Sequence, residues 1–190
     1  TTVVGHSFGG TMARIAAYLY PEDISGLILV DSAIPVQHGS RTPPAMPRLK
    51  DHSFPTLAEG MRRFRLRPSQ PSENQYIIDY IAAHSLIESP SGFRFKLDPA
   101  VFAKMTSAEE FPSGVEMIRQ IDSPTALIYG RKSPFFSQKE IAHLSGVVRD
   151  DLIIAIDNAY HHVFLDQPLQ FISALEQLLA RMSRLLSERP

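Results

Sequence analysis

The chain contains no cysteine and no tryptophan among its 190 residues. Without cysteine, disulfide bonds, thiolate nucleophiles and thiolate metal sites are all excluded. An excess of charge is also missing, since 19 Lys and Arg against 20 Asp and Glu leave a net charge of −1. So even a balance gives no long-range attraction toward nucleic acid or an anionic membrane, and neither partner is expected. No apolar run approaches the ~20 residues that a bilayer-spanning helix needs. No basic and apolar leader opens the chain, so a cytoplasmic location is expected. The chain does not begin with methionine, and its first residues, Thr1-Thr2-Val3-Val4, already read as a strand. It is therefore expected to be the C-terminal part of a longer protein, cut inside a strand.

What the sequence does hold is 44% hydrophobic residues, enough for a globular core. Short apolar runs predict parallel strands buried on both faces at Val3-Val4, Leu27-Ile28-Leu29-Val30, Ala126-Leu127-Ile128-Tyr129 and Leu152-Ile153-Ile154-Ala155-Ile156. Helices are predicted after Ser7 as far as Pro21, from Ser113 to Ile121, from Ser137 to Ser145, and from Pro168 onward. Strands alternating with helices imply an α/β fold with a parallel sheet and helices on both faces. The interval from Ser32 to about Ile121 breaks that rhythm. It begins with a proline-rich stretch and continues with helical segments at Leu57–Arg65, Asn74–Leu86 and Pro99–Met105. The expected organisation is a core from 1–31, a helical lid from 32–112 over the C-terminal edge of the sheet, and core again from 113–190.

The chemistry is concentrated in Gly5-His6-Ser7-Phe8-Gly9-Gly10. A β-branched stub precedes it and the helix-favouring Thr11-Met12-Ala13-Arg14-Ile15-Ala16 follows. G-x-S-x-G between a strand and a helix predicts a nucleophile elbow, with Gly5 and Gly9 making room for a strained turn at Ser7. A serine nucleophile needs a base, and candidates lie beyond the last predicted strand at His161 and His162.

The elbow and the segment Asn158-Ala159-Tyr160-His161-His162-Val163-Phe164-Leu165-Asp166-Gln167-Pro168 together resemble the α/β-hydrolase superfamily. The resemblance implies the C-terminal part of an α/β-hydrolase fold, with Ser7 as nucleophile. In that family a proline commonly follows the base by seven residues, which selects His161, with His162 as the alternative. Tyr160 stands where the family usually has glycine. The third member, a carboxylate, often occurs in a Gly-x-x-Asp pattern, but here Gly130-Arg131-Lys132 is followed by Ser133. The resemblance then points to Asp31, a position some members use for the acid and others for a structural aspartate. Asp157 and Glu140 remain weaker candidates, and Ser133 or a backbone carbonyl could hold the base instead.

The backbone N–H of Phe8 is the expected oxyanion donor, its second partner coming from a segment ahead of residue 1. The implied activity is ester or lactone hydrolysis through an acyl-enzyme on a small-molecule substrate. The alternatives are C–C bond hydrolysis on the same fold and a non-catalytic receptor. No cofactor is expected, and no metal, because no ligand-spaced cluster is visible in the sequence. Four arginines in the lid (Arg62, Arg63, Arg65 and Arg67) could grip a substrate carboxylate or simply form a solvated face. Oligomeric state is left open. On its own the fragment is expected to be poorly soluble, because its first core strand lacks a partner on one side.

Overall fold

The computed structural model describes residues 1–36, 53–98 and 111–188. These form two compact units, residues 1–36 with 111–188 and residues 53–98. In chain order the first unit begins with β1 (Thr2–His6), α1 (Phe8–Leu19) and β2 (Gly26–Val30). The second unit holds α2 (Leu57–Arg63), α3 (Gln75–His84), β3 (Leu86–Ser89) and β4 (Gly92–Phe95). The first unit resumes with α4 (Gly114–Gln120), β5 (Thr125–Gly130) and α5 (Gln138–Leu144), then β6 (Ile153–Ile156), α6 (Val163–Asp166) and α7 (Pro168–Ser187).

A parallel sheet in the order β1-β2-β5-β6 forms the centre of the first unit. Every residue of β2 and of β5 is buried, which is why both read as unbroken apolar runs. Leu27, Ile28, Leu29, Leu127 and Ile128 are fully enclosed, and each such side chain is worth about 1.5–3 kcal/mol of apolar burial. Helix α1 packs on β1 and β2, while α7 packs on β5 and β6 through Ala174, Leu178 and Met182. Two helices start where the sequence says they should. Ser113 and Ser137 each form a capping box, with Glu116 and Glu140 respectively. The last strand is shorter than its apolar run, because Leu152 closes a 3-10 turn at Asp150–Leu152.

Strand register positions the chemistry. His6 lies opposite Val30, Val30 opposite Ile128, and Gly130 opposite Ile156. The C-terminal ends of all four strands therefore meet one edge of the sheet. Buried Arg14 of α1 reaches from below to the carbonyl of Ala33 (3.2 Å) and so anchors the loop that follows β2. Burial without a charged partner at that bond lowers its pKa to about 10.

The second unit departs from the expectation of helices alone. The helix predicted over Asn74–Leu86 stops at His84, and Leu86 instead starts an antiparallel hairpin with β4. Pro90-Ser91-Gly92 makes the turn, with Gly92 at φ 110°, a conformation that favours glycine. Leu86 is buried, whereas Ile87 and Glu88 are exposed. The helix predicted at Pro99–Met105 lies outside the described residues. No helix among the described residues is long and apolar enough to cross a membrane.

Candidate active site

Ser7 sits between β1 and α1 at φ 52°, left-handed backbone that a non-glycine residue adopts at a cost of roughly 1–3 kcal/mol. The turn is held from both sides. Ser7 N–H donates to the Val30 carbonyl (3.0 Å), and its own carbonyl accepts from the N–H groups of Gly10 (3.0 Å) and Thr11 (3.2 Å). Gly5 and Gly10 meet inside this turn. A Cβ on Gly10 would lie 2.5 Å from the Cβ of Ser32, and one on Gly5 would lie 2.7 Å from the Cα of Gly10. Gly9 has open space where its Cβ would point, so the close approach expected there belongs to Gly10 instead.

The imidazole of His161 bridges two groups that arrive from distant parts of the chain. Its Nε2 is 2.8 Å from Ser7 Oγ and its Nδ1 is 2.8 Å from Asp31 Oδ1. With Nδ1–H donating to the carboxylate, Nε2 carries the lone pair that faces the serine hydroxyl. His161 is 2% exposed and Asp31 1%, so both are shielded from water. The ring of Phe135 lies 4.8 Å from that of His161 and that of His6 4.7 Å, flanking the base.

Asp31 follows β2 directly, with φ 42° and its N–H on the Ile128 carbonyl (2.8 Å). Its carboxylate accepts three donors: His161, the N–H of Gly130 at Oδ2 (2.9 Å), and the hydroxyl of Ser133 at Oδ1 (2.6 Å). A buried carboxylate is costly unless it is paired and hydrogen-bonded, and here both oxygens are engaged. Gly130 is also required on its other side, because a Cβ there would run into the carbonyl oxygens of Ala159 and Tyr160.

His6, His161 and His162 bring imidazole nitrogens within 4.8 Å of one another, a grouping that the linear sequence hides. Both ring nitrogens of His161 are taken up by Ser7 and Asp31, and Nε2 of His6 by the main-chain carbonyl of His161 at 3.0 Å.

Comparison with known proteins identifies the scaffold. A family model described as the alpha/beta hydrolase fold matches residues 1–92. The chain also superposes on a solved E-2-(acetamidomethylene)succinate hydrolase with a TM-score of 0.73. The chain has the alpha/beta hydrolase fold. The superposition runs at 19% identity and covers 94% of this chain and 66% of that structure. An esterase from Mycobacterium tuberculosis superposes with a TM-score of 0.66 at 20% identity, over 94% of this chain and 60% of its own. Among curated relatives, the (lyso)-N-acylphosphatidylethanolamine lipase of Mus musculus is 26% identical over 205 aligned residues, 93% of this chain and 57% of the lipase. An sn-1-specific diacylglycerol lipase of Mus musculus is 24% identical, over 94% of this chain and 58% of its own. The chain thus spans little more than half the length of these lipases.

Within this α/β-hydrolase scaffold, the sequence candidates separate clearly. Ser7, Asp31 and His161 come together, and Phe8 is the first residue of α1, directly after the elbow serine. His162 is buried as the N-cap residue of α6, and His161 is the histidine that faces Ser7. Asp157 lies at the surface and pairs with Arg131 (2.6 Å). Glu140 belongs to the capping box of α5. Arg62, Arg63, Arg65 and Arg67 are exposed, with Arg62 near Glu59 (3.9 Å) and Arg65 on the carbonyls of Arg62 and Phe64. Sequence reasoning missed Gly130, Gly10 and His6. For Gly130 a signal existed, since Gly-x-x-Ser after a strand marks the same turn whatever its fourth residue is.

Proposed function

We propose that the protein is a serine hydrolase that cleaves a carboxylic ester or lactone through an acyl-enzyme, with Ser7, His161 and Asp31 as nucleophile, base and acid. The observation that carries this reading is the His161 imidazole, which is hydrogen-bonded at once to Ser7 Oγ and to a buried carboxylate. In the acylation step Ser7 Oγ attacks the carbonyl carbon while its proton passes to His161 Nε2. Asp31 keeps the second ring proton on Nδ1 and stabilises the imidazolium. The Phe8 N–H, at the positive end of α1, donates to the developing oxyanion. His161 then returns its proton to the leaving alcohol, and water attacks the acyl-enzyme with the same base in the reverse role.

The relatives named as a (lyso)-N-acylphosphatidylethanolamine lipase and an sn-1-specific diacylglycerol lipase support an acyl ester as the substrate class. The test is labelling of the full-length protein with a fluorophosphonate probe, followed by peptide mapping. Label on Ser7 that disappears in Ser7→Ala, with turnover of p-nitrophenyl esters, is the expected result. A folded protein that takes up no probe sinks the reading and favours a ligand-binding receptor. Labelling without ester turnover, but with cleavage of a vinylogous diketone, moves it to C–C hydrolysis.

A further inference from the structure

We propose that His6 is a positioning residue for the base: its Nε2–H holds the main-chain carbonyl of His161 and thereby keeps the His161 ring on Ser7. The inference rests on the reading of Ser7 and His161 as nucleophile and base, and adds a residue that the three-member arrangement does not use.

A carbonyl can only accept, so the 3.0 Å contact between His6 Nε2 and the His161 oxygen fixes a proton on Nε2 of His6. Partial burial among His161, His162 and Phe164 favours the neutral ring, and holds the pKa of His6 below its ordinary value. A neutral His6 with its single proton on Nε2 is therefore the working form, and it places no second positive charge beside the imidazolium that forms on His161.

The loop that carries the base is anchored at three consecutive residues. The Ala159 carbonyl accepts from Lys132 N–H (2.9 Å), Tyr160 N–H donates to Asp166 Oδ2 (2.7 Å), and the His161 carbonyl accepts from His6. The first two tie the loop to the turn after β5 and to α6. Only the third ties it to β1, the strand that delivers Ser7. Asp31 holds the other side of the ring through Nδ1, but the direct link from the base to the nucleophile's own strand would otherwise be the Nε2–Oγ contact, which must break and re-form in every turnover. The anchor matters more here because Asn158, at φ 56°, carries the loop through backbone that glycine would enter more easily. The elbow histidine thus links the two halves of the chemistry across 155 residues of sequence.

The experiment measures fluorophosphonate labelling of Ser7 in the full-length protein, separating the saturating rate constant from the half-saturating probe concentration. His6→Gln can offer an N–H at the same reach, whereas His6→Met fills similar space without a donor. His6→Asn keeps an amide but is too short to reach the carbonyl, so it gives the same test in a polar side chain if the Met variant folds poorly. The Gln variant is expected within ~3-fold of the parent protein, and the Met and Asn variants ~10- to 100-fold slower in the saturating rate, with the half-saturating concentration little changed. Equal rates in all three variants, or a Gln variant as slow as the Met variant, overturn the inference. An unlabelled parent protein is a different result, because it overturns the nucleophile and base assignments themselves.

Discussion

Asp31 and Asp157 are the same residue in the same topological place, each the first position beyond a parallel strand, yet they have opposite fates. Asp31 follows β2, a strand in the interior of the sheet, and is 1% exposed beneath the loops after β5 and β6. Asp157 follows β6, the outermost described strand on that side, and its side chain is 69% exposed. The first gathers a histidine, a serine hydroxyl and a backbone N–H, while the second finds the exposed guanidinium of Arg131. An exposed ion pair of that kind contributes little in water. The lesson is that strand order in the sheet, rather than spacing along the chain, decides which carboxylate can serve a buried histidine.

The largest expected effect breaks this contrast directly. Asp31→Asn should slow labelling of Ser7 by about ten-thousand-fold, because an amide can hold His161 in the wrong tautomer and cannot stabilise its charged form. Asp157→Asn should leave the labelling rate and the melting midpoint within experimental scatter. Comparable losses in the two variants would move the acid away from Asp31.

Ser133 sharpens the same comparison at smaller scale. It stands fourth in Gly130-Arg131-Lys132-Ser133, where a Gly-x-x-Asp pattern would put a carboxylate, and its hydroxyl donates to Asp31 Oδ1 at 2.6 Å. The serine is therefore a support for the carboxylate from the neighbouring strand. Ser133→Ala removes one of the three donors and should cost about 1–3 kcal/mol in stability, with labelling slowed ~10-fold. Thermal denaturation and probe kinetics on the same preparation check both numbers. A variant that loses stability but labels at the parent rate would make Ser133 a purely structural contact.

Local patterns made the elbow and the central strands readable: Ser7 lies within six residues of both glycines that crowd its turn, and Leu27 to Val30 form one uninterrupted apolar run. His161 was readable through its distance to Pro168, which opens α7. The acid was not fixed by spacing, because Asp31 and Ser133 are 102 residues apart and only the β2–β5 pairing brings them together. The role of Gly10 was hidden for a similar reason, since the side chain it must avoid belongs to Ser32 on the next strand's loop. In the second unit, the apolar pattern of α3 runs into Leu86 without a break, so a helical period seemed to continue through it. The turn at Pro90-Ser91-Gly92 was the available signal for a hairpin, and it lies four residues beyond that point.

The smallest expected effect concerns pH and separates the two histidines that flank each other. Burial is the largest influence on His6 and lowers its pKa from 6.5, while its bond to the His161 carbonyl and the charge of Asp31 act in the opposite direction. In the unfolded chain the ring titrates near 6.5. Between that value and the lower folded one, the unfolded state binds a proton that the folded state does not, so stability falls as the pH is lowered through this window. Above about pH 6.5 both states are neutral at this residue and the effect is absent. His6→Gln removes this titration while keeping the donor to His161, so its melting midpoint should fall less steeply than that of the parent protein between about pH 7 and pH 5. The two proteins differ at this residue alone, and the difference between the two curves isolates His6. Parallel curves would show that the His6 ring is free to take up its proton in the folded state, and with it that the neutral, Nε2-protonated form is not enforced by the fold.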